Sequence, residues 1–207
     1  MILAVDTSLG TAVALVDADG SLRAEAATSD PLGHAEVIGG LLTDVLADAG
    51  AGEITHVVAG MGPGPFTGLR IGIAAARAFA LGRGIPVVAV PSHLAVALTA
   101  IETDSVTGPF AVVTDARRRE VAITVFDGLD DDGVPRVTAE TLLRPRDEAD
   151  LHLAGIRRID ALTLSAADLA RVGARAHAAG RSLAGAEPLY LRSPDVTVPG
   201  APKRVGV

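Results

Sequence analysis

Five histidines, no cysteine and a few glycine-rich turns are the residues from which chemistry could be built in this chain. The lack of cysteine removes disulfide frameworks, thiolate zinc sites and cysteine nucleophiles. His34, His56, His93, His152 and His177 are widely scattered. One imidazole without a nearby carboxylate does not hold a divalent ion tightly, so no metal site is expected. Gly62-x-Gly64 ahead of a helix invites a phosphate-loop reading. It lacks the Lys-Ser/Thr of a nucleoside triphosphatase and the spacing of a dinucleotide fingerprint, and Pro63 and Pro65 remove two backbone donors. A rigid turn that aims the following helix is expected instead. His34-Ala35-Glu36 could suggest an acid–base pair, but side chains two apart on a helix do not face each other. Glu36 reads as a first-turn acid that suits the helix dipole.

The elements that must position these residues are legible from periodicity and turn signals. Strands are expected over residues 1–6, 11–16, 21–28, 56–60, 87–90, 110–115, 120–126 and 134–143. Helical spacing runs through Ile38, Leu41, Leu42, Val45 and Leu46, with a stop at Gly50 to Gly52. A second helix is expected over 68–82, a third from Ser92, and a last one over 166–179 with Ser165 and Asp168 as a capping box. Asp6 and Asp115 each end a buried strand that leads into a tight turn and an antiparallel partner, so they read as equivalent points of an internal duplication whose second copy is reduced. The domain reading is 1–104 as an N-terminal lobe, 105–192 as a reduced C-terminal lobe, and 193–207 as an irregular tail. A duplicated three-strand meander followed by helix–strand units is the plan of the α/β actin-like, sugar-kinase and heat-shock ATPase (ASKHA) fold, with two RNase H-like lobes. That likeness alone fixes no function.

With 49% apolar residues, 207 residues can bury a substantial core, and with 2% aromatic residues that core is aliphatic. No membrane span is expected, and Asp6 follows the apolar start too soon for an ordinary signal peptide. A cytoplasmic location fits. The net charge of −7 and the scarcity of stacking aromatics argue against a chain that grips RNA alone.

The string Gly62-Pro63-Gly64-Pro65-Phe66-Thr67-Gly68-Leu69-Arg70-Ile71-Gly72, with Ile2 to Ser8, His34-Ala35-Glu36, Asp115-Ala116-Arg117-Arg118 and Pro188-Leu189-Tyr190-Leu191-Arg192, resembles the TsaB (YeaZ) family. The resemblance covers residues 1 to about 192. Pro65, Arg119 and Ala122 depart from the family pattern, which usually has Ser, Gly and Tyr there. The resemblance implies a non-catalytic subunit that pairs with the catalytic paralogue TsaD and the ATPase TsaE in making threonylcarbamoyladenosine in tRNA, with tRNA reached only through the complex. TsaD carries two metal-binding histidines four apart where this chain has His93 and Ala97. Asp6, Thr7 and Ser8 resemble the first phosphate loop of actin-like folds, and Asp115 opens the second. Arg117 and Arg118 stand where that second loop should carry glycines. A vestigial nucleotide site is the expectation, with no cofactor of the chain's own and ATP or ADP bound only at a joint interface. Two alternatives remain open at this stage: a glycoprotease-like hydrolase, which would need a metal pair or an activated nucleophile, and a small actin-like kinase, which would need the missing glycines.

Gly68, Gly72, Ala76 and Ala80 recur every four residues and share one ridge row. Two interior glycines cost roughly 1 kcal/mol each relative to alanine, so the row must admit another backbone. Tight packing inside the monomer would do this. The family resemblance favours a helix-pair interface with TsaD or with a second copy of the chain, built from Ile38, Gly39, Leu41, Leu42, Val45, Gly68, Arg70, Gly72, Ala76 and Ala80. A homodimer is expected for the chain alone.

Overall fold

The computed structural model describes residues 1–30, 33–48 and 52–192. Strands β1 (Ile2–Asp6), β2 (Thr11–Val16) and β3 (Leu22–Thr28) form an antiparallel meander, to which β4 (His56–Gly60) and β5 (Val87–Val90) add in parallel beyond β1. The order is β3-β2-β1-β4-β5. A second sheet repeats the plan. Strands β6 (Pro109–Asp115), β7 (Glu120–Leu129) and β8 (Pro135–Pro145) form the meander, and β9 (Arg157–Asp160) lies parallel to β6, giving β8-β7-β6-β9. Asp6 and Asp115 close the two central strands, as the duplication requires. Among the described residues the second sheet has no counterpart of β5. This topology is the actin-like plan.

Helices α1 (His34–Ala47) and α2 (Phe66–Arg83) cover one face of the first sheet. Alternation along the strands sends Leu3, Val5, Val13, Leu15 and Val57 to that face. The opposite face carries small residues, Ala4, Ala12 and Ala14, beneath the alanine-rich helix α5 (Ala166–Ala178). Gly173 brings α5 so close that a Cβ there would lie 2.4 Å from Val58 Cγ2. Helix α3 (Ser92–Glu102) packs on α5 and on β6, β7 and β8. A late helix therefore seals the first sheet, and an early helix seals the second. One core runs between the sheets, with Phe110 and Phe126 stacked at 5.7 Å on its second-sheet side. Among the described residues, the outer apolar face of the second sheet, Ala111, Val113, Val121 and Ile123, is packed by the five-residue α4 (Ala149–Leu153).

Ser165 caps α5 as the sequence suggests, accepting from Asp168 N at 3.1 Å. A second acceptor is supplied from the first sheet. Glu25 Oε1 takes hydrogen bonds from Ala166 N (2.7 Å), Ala167 N (3.3 Å) and Ser165 Oγ (3.1 Å), which ties β3 to the start of α5. α4 and β9 were not expected from the sequence. β9 is an edge strand of two arginines, Ile159 and an aspartate, and carries no apolar run to announce it. The expected tail over 193–207 and part of the expected stop after α1 lie outside the described residues.

Candidate functional site

The first turn is closed on itself. Asp6 Oδ1 accepts from Ser8 N and Ser8 Oγ, both at 2.6 Å, and Oδ2 accepts from Ser92 Oγ. Ser92 Oγ in turn accepts from Gly62 N at 3.0 Å. Burial pushes the Asp6 carboxyl above the usual carboxylate value, against the hydrogen bonds from Ser8 and Ser92 and the neighbouring His34, which pull it down. Thr7 Oγ1 donates to Gly68 O at 2.8 Å. Asp6, Thr7 and Ser8 are all buried, and every side chain among them is spent inside the protein.

The second turn is open. Asp115 is exposed and ion-paired with Arg146. Arg117, Arg118 and Arg119 have φ of 61°, 53° and 61° in succession. Left-handed backbone at a non-glycine residue costs on the order of 1 kcal/mol or more. The turn is held by Glu120 N donating to Arg117 O (2.9 Å) and Arg146 N to Arg119 O (2.8 Å). The structure thus separates the six residues expected at a nucleotide site. Asp115, Arg117 and Arg118 line a cleft of about 540 Å³ between the lobes, and Asp6, Thr7 and Ser8 do not.

The segment 186–192 crosses this cleft as a strap. Ala186 O accepts from Arg77, Leu189 N donates to Met61 O at 2.8 Å, and Arg192 pairs with Glu120 at the start of β7. Tyr190 stacks on Phe66 at 4.8 Å and accepts a hydrogen bond from Arg70 Nε at 2.8 Å, while the Arg70 guanidinium lies 3.9 Å from the Phe66 ring centre. The role of Tyr190 could not be read from spacing, because its partners lie 120 residues away.

His93 is buried at the start of α3. Its Nδ1 meets Thr124 Oγ1 at 2.7 Å and its Nε2 meets Thr114 Oγ1 at 2.9 Å. Burial pushes its pKa down to about 3, so the ring is neutral. Both nitrogens are committed to hydroxyls, and Ala97 lies one turn on. Among the described residues no group of three or more His, Cys, Asp or Glu is placed to hold a metal ion.

The row on α2 requires a correction. Gly68, Gly72, Ala76 and Ala80 are all buried, and they face the protein's own interior. A Cβ on Gly72 would lie 2.2 Å from Thr7 Oγ1, and one on Gly68 would lie 2.8 Å from His34 Nε2. The glycines admit the first turn and His34, so the reading of this row as an outward groove is overturned. Ile38 and Val45 are buried in the same core. Arg70 is engaged by Phe66 and Tyr190. Of the expected interface residues, Gly39 is exposed, and Leu41 and Leu42 are half-buried. The outer surface of the pair is nonetheless made of small residues. Gly39 and Gly40 have open space where a Cβ would stand, Ala74 and Ala78 are exposed at a spacing of four, and Leu81 is 85% exposed. Charge is divided between the two helices. α1 carries Glu36 and Asp44 with no basic residue, and α2 carries Arg70, Arg77 and Arg83 with no acidic one.

The family model described as TsaD, tRNA N6-adenosine threonylcarbamoyltransferase, matches residues 31–182. An uncharacterised protein of Mycobacterium tuberculosis is 42% identical over 124 residues, covering 58% of this chain and 56% of that protein. The tRNA threonylcarbamoyladenosine biosynthesis protein TsaB of Escherichia coli is 34% identical over 122 residues, covering 58% of this chain and 52% of that protein. The chain spans about half the length, or less, of the curated relatives it matches. A solved structure from Pseudomonas aeruginosa, described as an uncharacterised protein with similarity to the peptidase YeaZ, superposes with a TM-score of 0.77 at 25% identity, covering 92% of this chain and 99% of that one. The chain belongs to the TsaD family, tRNA N6-adenosine threonylcarbamoyltransferase, and within it to the TsaB (YeaZ) group.

Proposed function

We propose that this chain serves the biosynthesis of threonylcarbamoyladenosine in tRNA as a non-catalytic partner subunit. It would pair with a catalytic paralogue of the TsaD kind, work with a TsaE-type ATPase, and meet tRNA only through that complex, in the cytoplasm. The observation that carries the non-catalytic reading is His93. Its two nitrogens are held by Thr114 and Thr124, and Ala97 occupies the position of the second ligand. A hydrolase or kinase reading has less support: no metal cluster forms among the described residues, and Asp6 is sealed by Ser8 and Ser92.

The surface proposed for the partner is the outer face of α1 and α2, around Gly39, Gly40, Ala74 and Ala78. Small residues let a second helix pair approach closely. The separation of acids on α1 from arginines on α2 suits a two-fold arrangement in which each α1 meets the other chain's α2. A second copy of the chain and the catalytic paralogue would compete for this face. Co-purification with a TsaD from the same organism tests the reading. A complex that excludes the homodimer is expected, and failure to associate at micromolar concentrations would refute it.

A further inference from the structure

We propose that a second copy of this chain docks on the outer α1–α2 face by taking from the strap the two arginines that hold it, a step that rests on the reading of that face as the partner surface. Association then loosens residues 186–190. Arg70, Ala74, Arg77 and Ala78 are exposed and share one stripe of α2. The strap is tied to this stripe from the side. Arg70 Nε donates to the Tyr190 hydroxyl at 2.8 Å, and Arg77 donates to Ala186 O. Both acceptors are neutral, and neither arginine has an ion-pair partner among the described residues.

Helix α1 carries the complement. Glu36, Gly40 and Asp44 are exposed and follow one another at a spacing of four, so they too share a stripe. Neither acid makes a hydrogen bond or ion pair with another described residue. Eight residues of helix set the two acids about 12 Å apart, and seven set Arg70 and Arg77 about 10.5 Å apart. Acid, glycine, acid on one copy therefore matches arginine, alanine, arginine on the other, and two-fold symmetry makes the match twice. A carboxylate outcompetes the strap for the guanidinium groups, because charge-assisted hydrogen bonds are roughly twice as strong as neutral ones. The strap then keeps Leu189 N on Met61 O and the Tyr190–Phe66 stack, and loses its two bonds to α2. Leu189 and Tyr190 wall the cleft of about 540 Å³ and also a second cavity of about 780 Å³, whose other walls include His93, Leu94 and Phe126. Loosening the strap opens both cavities toward each other. By linkage, a change that weakens the strap strengthens association by the same factor.

Amide hydrogen exchange on the full chain, with sedimentation on the same samples, tests the proposal from dilute monomer to concentrated dimer. Protection of the Leu189 amide should fall at least about threefold as the dimer forms. Tyr190→Phe removes the hydroxyl that accepts from Arg70 and keeps the ring stack on Phe66, so it should tighten the dimer at least about fivefold. Arg77→Ala also frees the strap but removes a docking charge, so it should weaken the dimer at least about fivefold. Protection of Leu189 that holds or rises in the dimer would overturn the inference, as would a Tyr190→Phe dimer of unchanged or lower affinity. A chain that stays monomeric at roughly millimolar levels would overturn it too, while pairing with a TsaD would still stand or fall by co-purification.

Discussion

The turns after β1 and β6 occupy the same position in two copies of one topology, and they have opposite characters. Asp6 is buried, receives three hydrogen bonds from Ser8 and Ser92, and anchors its turn to the loop before α2 and to α3. Asp115 is exposed, pairs with Arg146, and leads into three left-handed arginines. A duplicated strand–turn–strand unit therefore preserves its backbone plan while its side chains specialise. One copy serves as structure and the other as surface. The difference also bears on the cleft, since Asp6 is buried beneath its turn and does not line the cavity, whereas Asp115 does.

The largest expected effect comes from filling the space beside the sealed turn. Gly72→Leu places a branched side chain where even a Cβ would lie 2.2 Å from Thr7 Oγ1, so it should destabilise the fold by about 4 kcal/mol or prevent folding. Chemical denaturation followed by circular dichroism measures this. A stable, fully folded Gly72→Leu protein would break the assignment of the row to the interior.

The two aspartates give the direct contrast. Asp6→Ala should cost about 3 kcal/mol, because it strands the hydroxyls of Ser8 and Ser92 and the amide of Ser8. Asp115→Ala removes one exposed ion pair and should cost less than about 1 kcal/mol. Equal effects in denaturation midpoints would remove the distinction between the turns.

A smaller effect should appear with pH. His93 bonds to Thr114, the residue before Asp115, and its pKa lies near 3 against an ordinary 6.5. Between these values the unfolded chain binds the proton and the folded chain does not, so stability is lost as pH falls below 6.5. From about pH 7 to about pH 5 the loss from this group is about 2 kcal/mol. His93→Gln should flatten that part of the pH profile, and an unchanged slope would show that the ring is protonated in the native state.

Much of the fold was legible because alternation and helical spacing announce buried faces. β2 and β4 fall at the expected residues, and α2 extends the expected helix by two residues at its start and one at its end. The capping box at Ser165 was equally local. β9 was not legible, since edge strands need no apolar run, nor was the Glu25 contact to α5, which joins positions about 140 residues apart. The α2 row shows the main limit. Spacing identified a close approach correctly but could not say what approaches, because Thr7 and His34 reach the helix through the tertiary fold. For the cleft, the arginines were visible, whereas the burial of Asp6 depends on Ser92, 86 residues away.

The most direct test of the partner-subunit account is co-purification of a TsaD from the same organism with three forms of this chain. The forms are the wild type, Ala74→Arg on the exposed face of α2, and Leu162→Arg, an exposed apolar position beyond β9 that is 84% accessible. Both substitutions lie on the surface and should leave the fold intact. The account predicts that wild type and Leu162→Arg retain TsaD and that Ala74→Arg loses it by at least about tenfold, in line with about 1.4 kcal/mol or more of lost contact. Retention of TsaD by Ala74→Arg at wild-type level, or its loss with Leu162→Arg alone, would contradict the account.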